Sequence, residues 1–394
     1  MTPSTRKVIR QYYVYCALFG TWFASGIWIF FARKYATDTA IGFFDAASFA
    51  VALLAEIPSG VLADRIGRRK TVIIGTLIYG VGYTMWGLSI SRWMMAVSFI
   101  VYWVGGSFVS GADEAMIFEY LKSKGHEDLW QRISVNRFLI TRVSLILSIF
   151  FGGLMYNVYG RLPFLARGFT FFLMLIPLYW LRSVDAHQPQ RQEKSNFIAD
   201  IKTGTRELLS AKIVWVLPLY LMVQGIGFTV FTSGILRPIL FAYSGISLHN
   251  ISSFVALTTL ISVTFLFVSS RYFKKSFFRL RTIFLLAITM IVGFLLNIPH
   301  NTFVAIAGLA LVTLAAYSLS PLLSNAINTT IGSRYRATTL SAANFCENIL
   351  YVVLAPIVGY LSTKGSINNI IYLCSGMVLI GLLSSLYLHI KAHV

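Results

Sequence analysis

Asp113 and Glu114 stand side by side in one apolar run of this 394-residue chain, and Arg137 and Arg142 stand in the next. An ionisable side chain in hydrocarbon costs roughly 2.5 to 3.5 kcal/mol on insertion scales, so each one retained there invites a chemical role. Counted from the helix ends at about 1.5 Å per residue, the two acids lie about 12 to 14 Å deep and the two arginines about 10 and 18 Å deep. Opposite charges therefore share a level. Neighbouring residues are about 100° apart on a helix, so the acids are not expected to face one partner equally. One is expected to pair with Arg137 or Arg142 while the other faces a cavity and exchanges a proton as water comes and goes. A permanently paired cluster welding two helices is the alternative. Glu56, beside Pro58, Asp45 and Glu347 are the further acids of apolar runs, and Asp45 or Glu347 would suit a cationic ligand.

The elements that position these groups follow from composition. Hydrophobic residues make up 57% of the chain and charged ones 12%, which excludes a water-soluble fold. Twelve runs are long enough to cross about 30 Å of hydrocarbon. They are residues 11–32, 39–60, 71–91, 93–120, 133–158, 163–182, 213–236, 248–270, 280–298, 302–326, 337–361 and 367–390, referred to below as helices 1 to 12. Asn and Ser interrupt the tenth and eleventh. Basic residues precede the first run and no small-residue cleavage site follows it, so it reads as a retained helix. Cys16, Cys346 and Cys374 all fall in predicted helices, which argues against a disulfide framework.

The formal net charge of +19 would point to nucleic acid in a soluble protein, but its placement gives another reading. Of the 33 basic residues, 24 fall on the side shared with the N-terminus and 7 on the other, with Arg137 and Arg142 inside helix 5. The positive-inside rule then puts both termini in the cytoplasm. The longest polar segment separates six runs from six. The expected organisation is an N-terminal bundle over 1–182, a cytoplasmic linker over 183–212 whose part 197–209 has amphipathic spacing, and a C-terminal bundle over 213–394.

Between helices 2 and 3 stands Gly60-Val61-Leu62-Ala63-Asp64-Arg65-Ile66-Gly67-Arg68-Arg69-Lys70. Gly60 would let helices approach, Gly67 would permit a tight reversal, and Asp64 would accept backbone or Arg hydrogen bonds. This loop resembles the signature of the major facilitator superfamily at every defining position, in members akin to its drug:proton antiporters. The resemblance implies an all-α polytopic fold of twelve transmembrane helices in two pseudo-symmetric six-helix bundles. It implies a conformational latch at Gly60, Asp64, Arg65, Gly67, Arg68 and Arg69, with Glu119 reaching Arg65 or Arg69. It also implies a substrate cavity lined by helices 1, 4, 7 and 10, which offer Trp22, Trp28, Tyr102, Trp103, Tyr220, Gln224, Tyr317 and Asn325, with Asp45 nearby. Aromatic walls with few amides suit an amphiphilic ligand.

Two hallmarks of the family are altered. Ser107 stands where many proton-coupled members carry an Arg in helix 4. The helix 5 exporter motif keeps its small residues at Ser144, Ser148, Gly152 and Gly153 but has Ile149 in place of Pro. The expected function is a secondary transporter working by alternating access in the cell inner membrane, exporting a small amphiphilic compound such as a drug-like molecule, siderophore or metabolite. Protons are the coupling ion, the lipid bilayer the only other partner, and no cofactor, metal or nucleic acid is expected; the protein is expected to be monomeric. A proton-coupled importer is the alternative reading. No phosphate-binding Gly-x-x-x-x-Gly-Lys-Ser/Thr loop is present, and the six histidines lie in loops or near helix ends, so an enzyme or receptor is remote.

Overall fold

The computed structural model describes residues 3–187, 214–272, 280–299, 301–330 and 336–393. Most of the linker expected over 183–212, its part 197–209 included, lies outside the described residues. Every described element is a helix or a turn. Helix 1 of the sequence is split into α1 (Pro3–Phe19) and α2 (Trp28–Ala32), and helix 2 is α3 (Asp38–Ile66). Helix 3 is α4 (Arg68–Gly87), and helix 4 is split into α5 (Arg92–Val109) and α6 (Ala112–Ser123). Helices 5 and 6 are α7 (Trp130–Val158) and α8 (Leu162–Trp180). Helix 7 comprises α9 (Leu217–Met222), a π-helical stretch Val223–Ser233 and α10 (Leu236–Tyr243). The last five are α11 (Leu248–Tyr272), α12 (Leu280–Leu295), α13 (Thr302–Thr330), α14 (Arg336–Thr363) and α15 (Ile367–His393).

Among the described residues eight crossings meet the length and apolarity of a membrane span, and the pair bent by 62° in helix 7 makes a ninth. The other three expected crossings, at α1–α2, α4 and α12, are helical but shorter or less apolar. Helices 10 and 11, interrupted by Asn and Ser in the sequence, form as unbroken helices of 29 and 28 residues.

Three expected rods are broken, each for a local reason. Helix 1 stops at Phe19, runs through a turn containing Gly26 at φ +84°, and restarts at Trp28. Helix 4 stops at Ser110, and Gly111 takes the left-handed conformation (φ +71°) that a side chain would oppose. Helix 7 widens to π geometry, in which the Thr232 hydroxyl donates to the carbonyl five residues back, on Gly227 (2.7 Å). Such widening is rare and is frequently found at functional positions.

The chain divides into two compact units. The first takes in Met1–Tyr35 and Ala47–Lys194, the second Ala36–Ala46 and Ser195–Val394. In the first unit α4 lies against α5 and α8 around an aromatic core in which Trp86, Tyr83, Phe99, Phe164 and Phe171 are all buried. α1 rests on α7 and α8. The approach of the helix 1 break to α7 is very close: a Cβ added at Gly152 would strike the carbonyl oxygen of Phe23. Gly60 offers the contrast, since a Cβ there meets nothing within 4 Å, so the close approach expected at Gly60 is not made. Gly152→Ala is therefore expected to lower stability by about 2 kcal/mol or more, while Gly60→Ala stays within about 0.5 kcal/mol of wild type or gains slightly. Thermal unfolding of the two variants in detergent checks both.

Candidate functional site

A broken helix in hydrocarbon must find partners for the backbone groups it frees. At the break of helix 1 they come from neighbouring helices. The Trp22 N–H donates to the Ser148 hydroxyl of α7 (2.7 Å), and that hydroxyl donates in turn to Leu145 O (2.9 Å). The Thr21 hydroxyl donates back to Leu18 O (2.8 Å). From α8, Arg167 reaches across: Nη1 donates to Leu18 O (3.1 Å) and Thr21 Oγ1 (2.7 Å), and Nη2 to Phe19 O (3.0 Å). Its guanidinium carbon lies 4.1 Å from the Phe171 ring centroid and 5.9 Å from that of Tyr83. A cation at the C-terminal end of α1 meets the negative end of that helix's dipole, and aromatic faces help to hold it. Arg167 is 7% exposed. Nothing in the sequence singles it out, because an Arg four residues inside an apolar run reads as an interfacial charge.

The break of helix 4 sets up a second charged group. α6 begins at Ala112, so Asp113 and Glu114 occupy its first turn, where the helix dipole favours carboxylates. Arg137 of α7 takes both acids at once: Nη2 donates to Asp113 Oδ2 (2.9 Å) and Nη1 to Glu114 Oε1 (2.5 Å). The expectation that the two acids would part company is corrected here, because the fork of one guanidinium spans their 100° separation. The acids still differ in surroundings, with Asp113 4% exposed and Glu114 48%. Arg142 lies over the Phe138 ring at 5.1 Å.

At the loop, Gly67 turns the chain at φ +97° and starts α4. Asp64 and Arg65 are exposed, while Arg68 and Arg69 are half-buried. Glu119 accepts from Arg68 Nε (2.7 Å), not from Arg65 or Arg69, and Arg69 Nη1 donates to Leu178 O (2.8 Å). Arg68 opens α4 directly after the turn, which brings it to the last turns of α6. Glu56 is exposed on α3, where the Ser59 hydroxyl donates to its carbonyl (2.9 Å) and to the carbonyl of Ser107 (3.0 Å).

In the second unit the Thr229 hydroxyl of the π-helical stretch donates to Glu347 Oε1 (2.9 Å). Asp45, 3% exposed, accepts from the Tyr351 hydroxyl, and Asp38 accepts from Ser362. Both acids expected to suit a cationic ligand thus already accept a hydroxyl, Glu347 from Thr229 and Asp45 from Tyr351. Tyr220, Gln224 and Tyr317 are buried in this unit, and the side chain of Asn325 lies outside those described.

The aromatic residues expected on a cavity wall divide by burial. Trp28 is 4% exposed and meets Trp86 and Phe99 edge-on at 5.9 and 6.0 Å, so it belongs to the packed core. Trp22, in the helix 1 break, and Tyr102 and Trp103 are only half-buried. Trp103 packs edge-on against Phe49 at 4.5 Å and stacks on Tyr102 at 5.1 Å.

A family model described as Major Facilitator Superfamily matches residues 14–355. The chain belongs to the Major Facilitator Superfamily. It is a multi-pass membrane transporter and not an enzyme. It aligns with Multidrug resistance protein 1 of Bacillus subtilis (strain 168) at 24% identity over 199 residues, which is 50% of this chain and 48% of that protein. The chain thus spans about half the length of the curated relative it matches. Among solved structures it is similar to a bacterial homologue of the human lysosomal transporter Spinster (TM-score 0.73, 12% identity, 100% of this chain and 98% of that one). It is likewise similar to the nucleoside transporter NupG (0.72, 12%, 98% and 99%) and to a D-xylose-proton symporter (0.69, 13%, 98% and 97%). At these identities the likeness is one of fold.

Within this superfamily fold, Arg167 is the buried cation whose described hydrogen bonds go to a helix end and a hydroxyl. Arg167→Ala leaves the carbonyls of Leu18 and Phe19 short of donors and is expected to cost on the order of 2 to 4 kcal/mol, with Arg167→Lys keeping about half of the interaction. The measurement is the thermal unfolding midpoint of the detergent-purified variants by Trp fluorescence; an unshifted midpoint in Arg167→Ala would show that the pin contributes nothing.

Proposed function

We propose that this chain is a proton-coupled exporter of a small amphiphilic cation, seated in the cell inner membrane with both termini cytoplasmic. The observation that carries the reading is the sharing of Arg137 by Asp113 and Glu114 at the break of helix 4. With both carboxylates ionised the group holds one net negative charge. One proton neutralises it, and so does one cationic ligand. The two therefore compete for a single electrostatic vacancy, which is the condition for antiport. Asp113 is buried beside Arg137 whereas Glu114 is half exposed, so the proposal gives the proton-exchanging role to Glu114. Alternating access follows the superfamily pattern, with halves 1–182 and 213–394 joined by the linker 183–212. Trp22, Tyr102 and Trp103 supply aromatic surface for an amphiphile. The partial alignment with a protein named for multidrug resistance supports a drug-like ligand.

The Arg68–Glu119 pair joins the signature loop to the end of α6, about one and a half turns beyond the acids. It serves as the latch that ties loop position to the state of the carboxylates, with Gly60, Asp64, Arg65, Gly67 and Arg69 around it.

Reconstitution into proteoliposomes with an imposed pH gradient and a cationic dye such as ethidium tests coupling and direction together. Glu114→Gln is expected to cut gradient-driven dye movement at least about tenfold with an unchanged unfolding midpoint. Asp113→Asn is expected to lose about 1 to 3 kcal/mol of stability as well, because a buried partner of Arg137 is removed. Wild-type coupling in both variants would sink the proton role, and dye moving with the protons in place of against them would make the protein an importer. For the latch, Arg68→Glu is expected to slow transport severalfold, and adding Glu119→Arg to restore part of it.

A further inference from the structure

Three cations from three separate elements close around one concavity of the first unit. Lys7 of α1, Lys124 just after α6 and Arg182 just after α8 line a cavity of about 410 Å³ together with Gln11 and the aromatic rings of Tyr179 and Trp180. A second hollow of about 420 Å³ shares Lys7, Gln11 and Trp180 and adds Arg10 and Val14. No acidic residue lines either one among the described residues. Cations scattered over a cytoplasmic face need only the positive-inside rule, but cations gathered into a pocket with no acid among its described lining residues leave a site for an anion.

The walls say which kind of anion. Val14 lies seven residues beyond Lys7 along α1, about 10 Å, so the second hollow leads from the charged end toward the apolar flank of the helix. Val14 and Trp180 are large apolar groups left 44% and 47% exposed on that path, and Tyr179 is 61% exposed at the pocket mouth. The Arg182 guanidinium lies 5.4 Å from the Tyr179 ring centroid and donates to its hydroxyl (3.2 Å), which aims the ring and the charge at the same opening. A soluble phosphate compound would use the cations and leave the apolar flank bare. A phospholipid uses both, with its phosphate among the cations and an acyl chain along Val14 and Trp180.

We infer that the groove between α1, α6 and α8 is a selective site for one anionic phospholipid in the leaflet that meets the N-terminus. The inference rests on charge and shape in the first unit and is independent of transport direction or coupling. Each Lys or Arg near a membrane surface contributes roughly fivefold to anionic-lipid binding, so three give a preference on the order of 100-fold over zwitterionic lipid.

Native mass spectrometry of the full chain in detergent, titrated with dioleoylphosphatidylglycerol, dioleoylphosphatidylcholine or soluble glycerol phosphate, reads this directly. The expected result is one tightly held phosphatidylglycerol preferred over phosphatidylcholine by at least about tenfold and not displaced by glycerol phosphate. In the triple variant K7Q/K124Q/R182Q the preference falls below about threefold, while R33Q/R92Q/K364Q, which removes as much charge elsewhere, keeps it. A retained preference in the first variant, an equal loss in both, or displacement by glycerol phosphate would overturn the lipid assignment. If the triple variant does not fold, quenching of the otherwise unmutated protein by brominated phosphatidylglycerol decides: it should exceed quenching by brominated phosphatidylcholine and lose that excess in Trp180→Phe, and equal quenching by both lipids overturns the proposal.

Discussion

A peptide group in hydrocarbon has no water to bond, so a membrane helix stops only where something else takes over its hydrogen bonds. In the first unit that takeover decides where the functional groups sit. The end of α1 is received by Arg167 and Thr21, and the turn beyond it by Ser148. With those partners in place the chain can leave the helix at Gly20 and let Phe23 lie against Gly152 without a buried orphan at Trp22 N or Phe19 O. The helix 5 positions that resemble an exporter motif thereby acquire a structural purpose. Ser148 is a hydrogen-bond partner, and Gly152 is the surface on which the broken segment rests.

The two central arginines of this unit are held by different chemistry, and the difference assigns their roles. Arg167 is surrounded by carbonyl dipoles, a hydroxyl and aromatic faces, none of which changes charge near neutral pH. Its environment is constant and its contribution is to shape. Arg137 is held by two carboxylates, whose total charge changes by one with each proton. Breaking a buried ion pair is costly because it strands a charge, so a second acid that stays in place allows the first to change state. In the proposed mechanism Asp113 holds and Glu114 switches.

Much of this was legible in the sequence, but unevenly. Span lengths and the loop Gly60–Lys70 identified the fold class, since run length and glycine placement report directly on hydrocarbon thickness and on tight reversal, as at Gly67. The level shared by the acids and Arg137 was also readable from residue counts. The helix breaks were not. Apolar runs look alike whether they are continuous or interrupted, and Gly20, Gly26 and Gly111 are tolerated in membrane helices, so composition alone gives no stop signal. Arg167 was not legible for the same reason, because its partners include backbone carbonyls freed only once helix 1 has broken. Trp28 was expected on a cavity wall from helix number alone and Asp45 near it as an acid in an apolar run, while burial depends on rotation about the helix axis, and tertiary packing turned Trp28 toward Trp86 and Asp45 toward Tyr351.

The claim that the helix 1 break is a built and satisfied element is tested most directly by amide hydrogen exchange across residues 19–30 of the wild-type protein in lipid nanodiscs. The account predicts that Trp22, outside any helix but bonded to Ser148, exchanges slowly, at a rate comparable with core amides of α1. Exchange at Trp22 as fast as that of an exposed loop would contradict it.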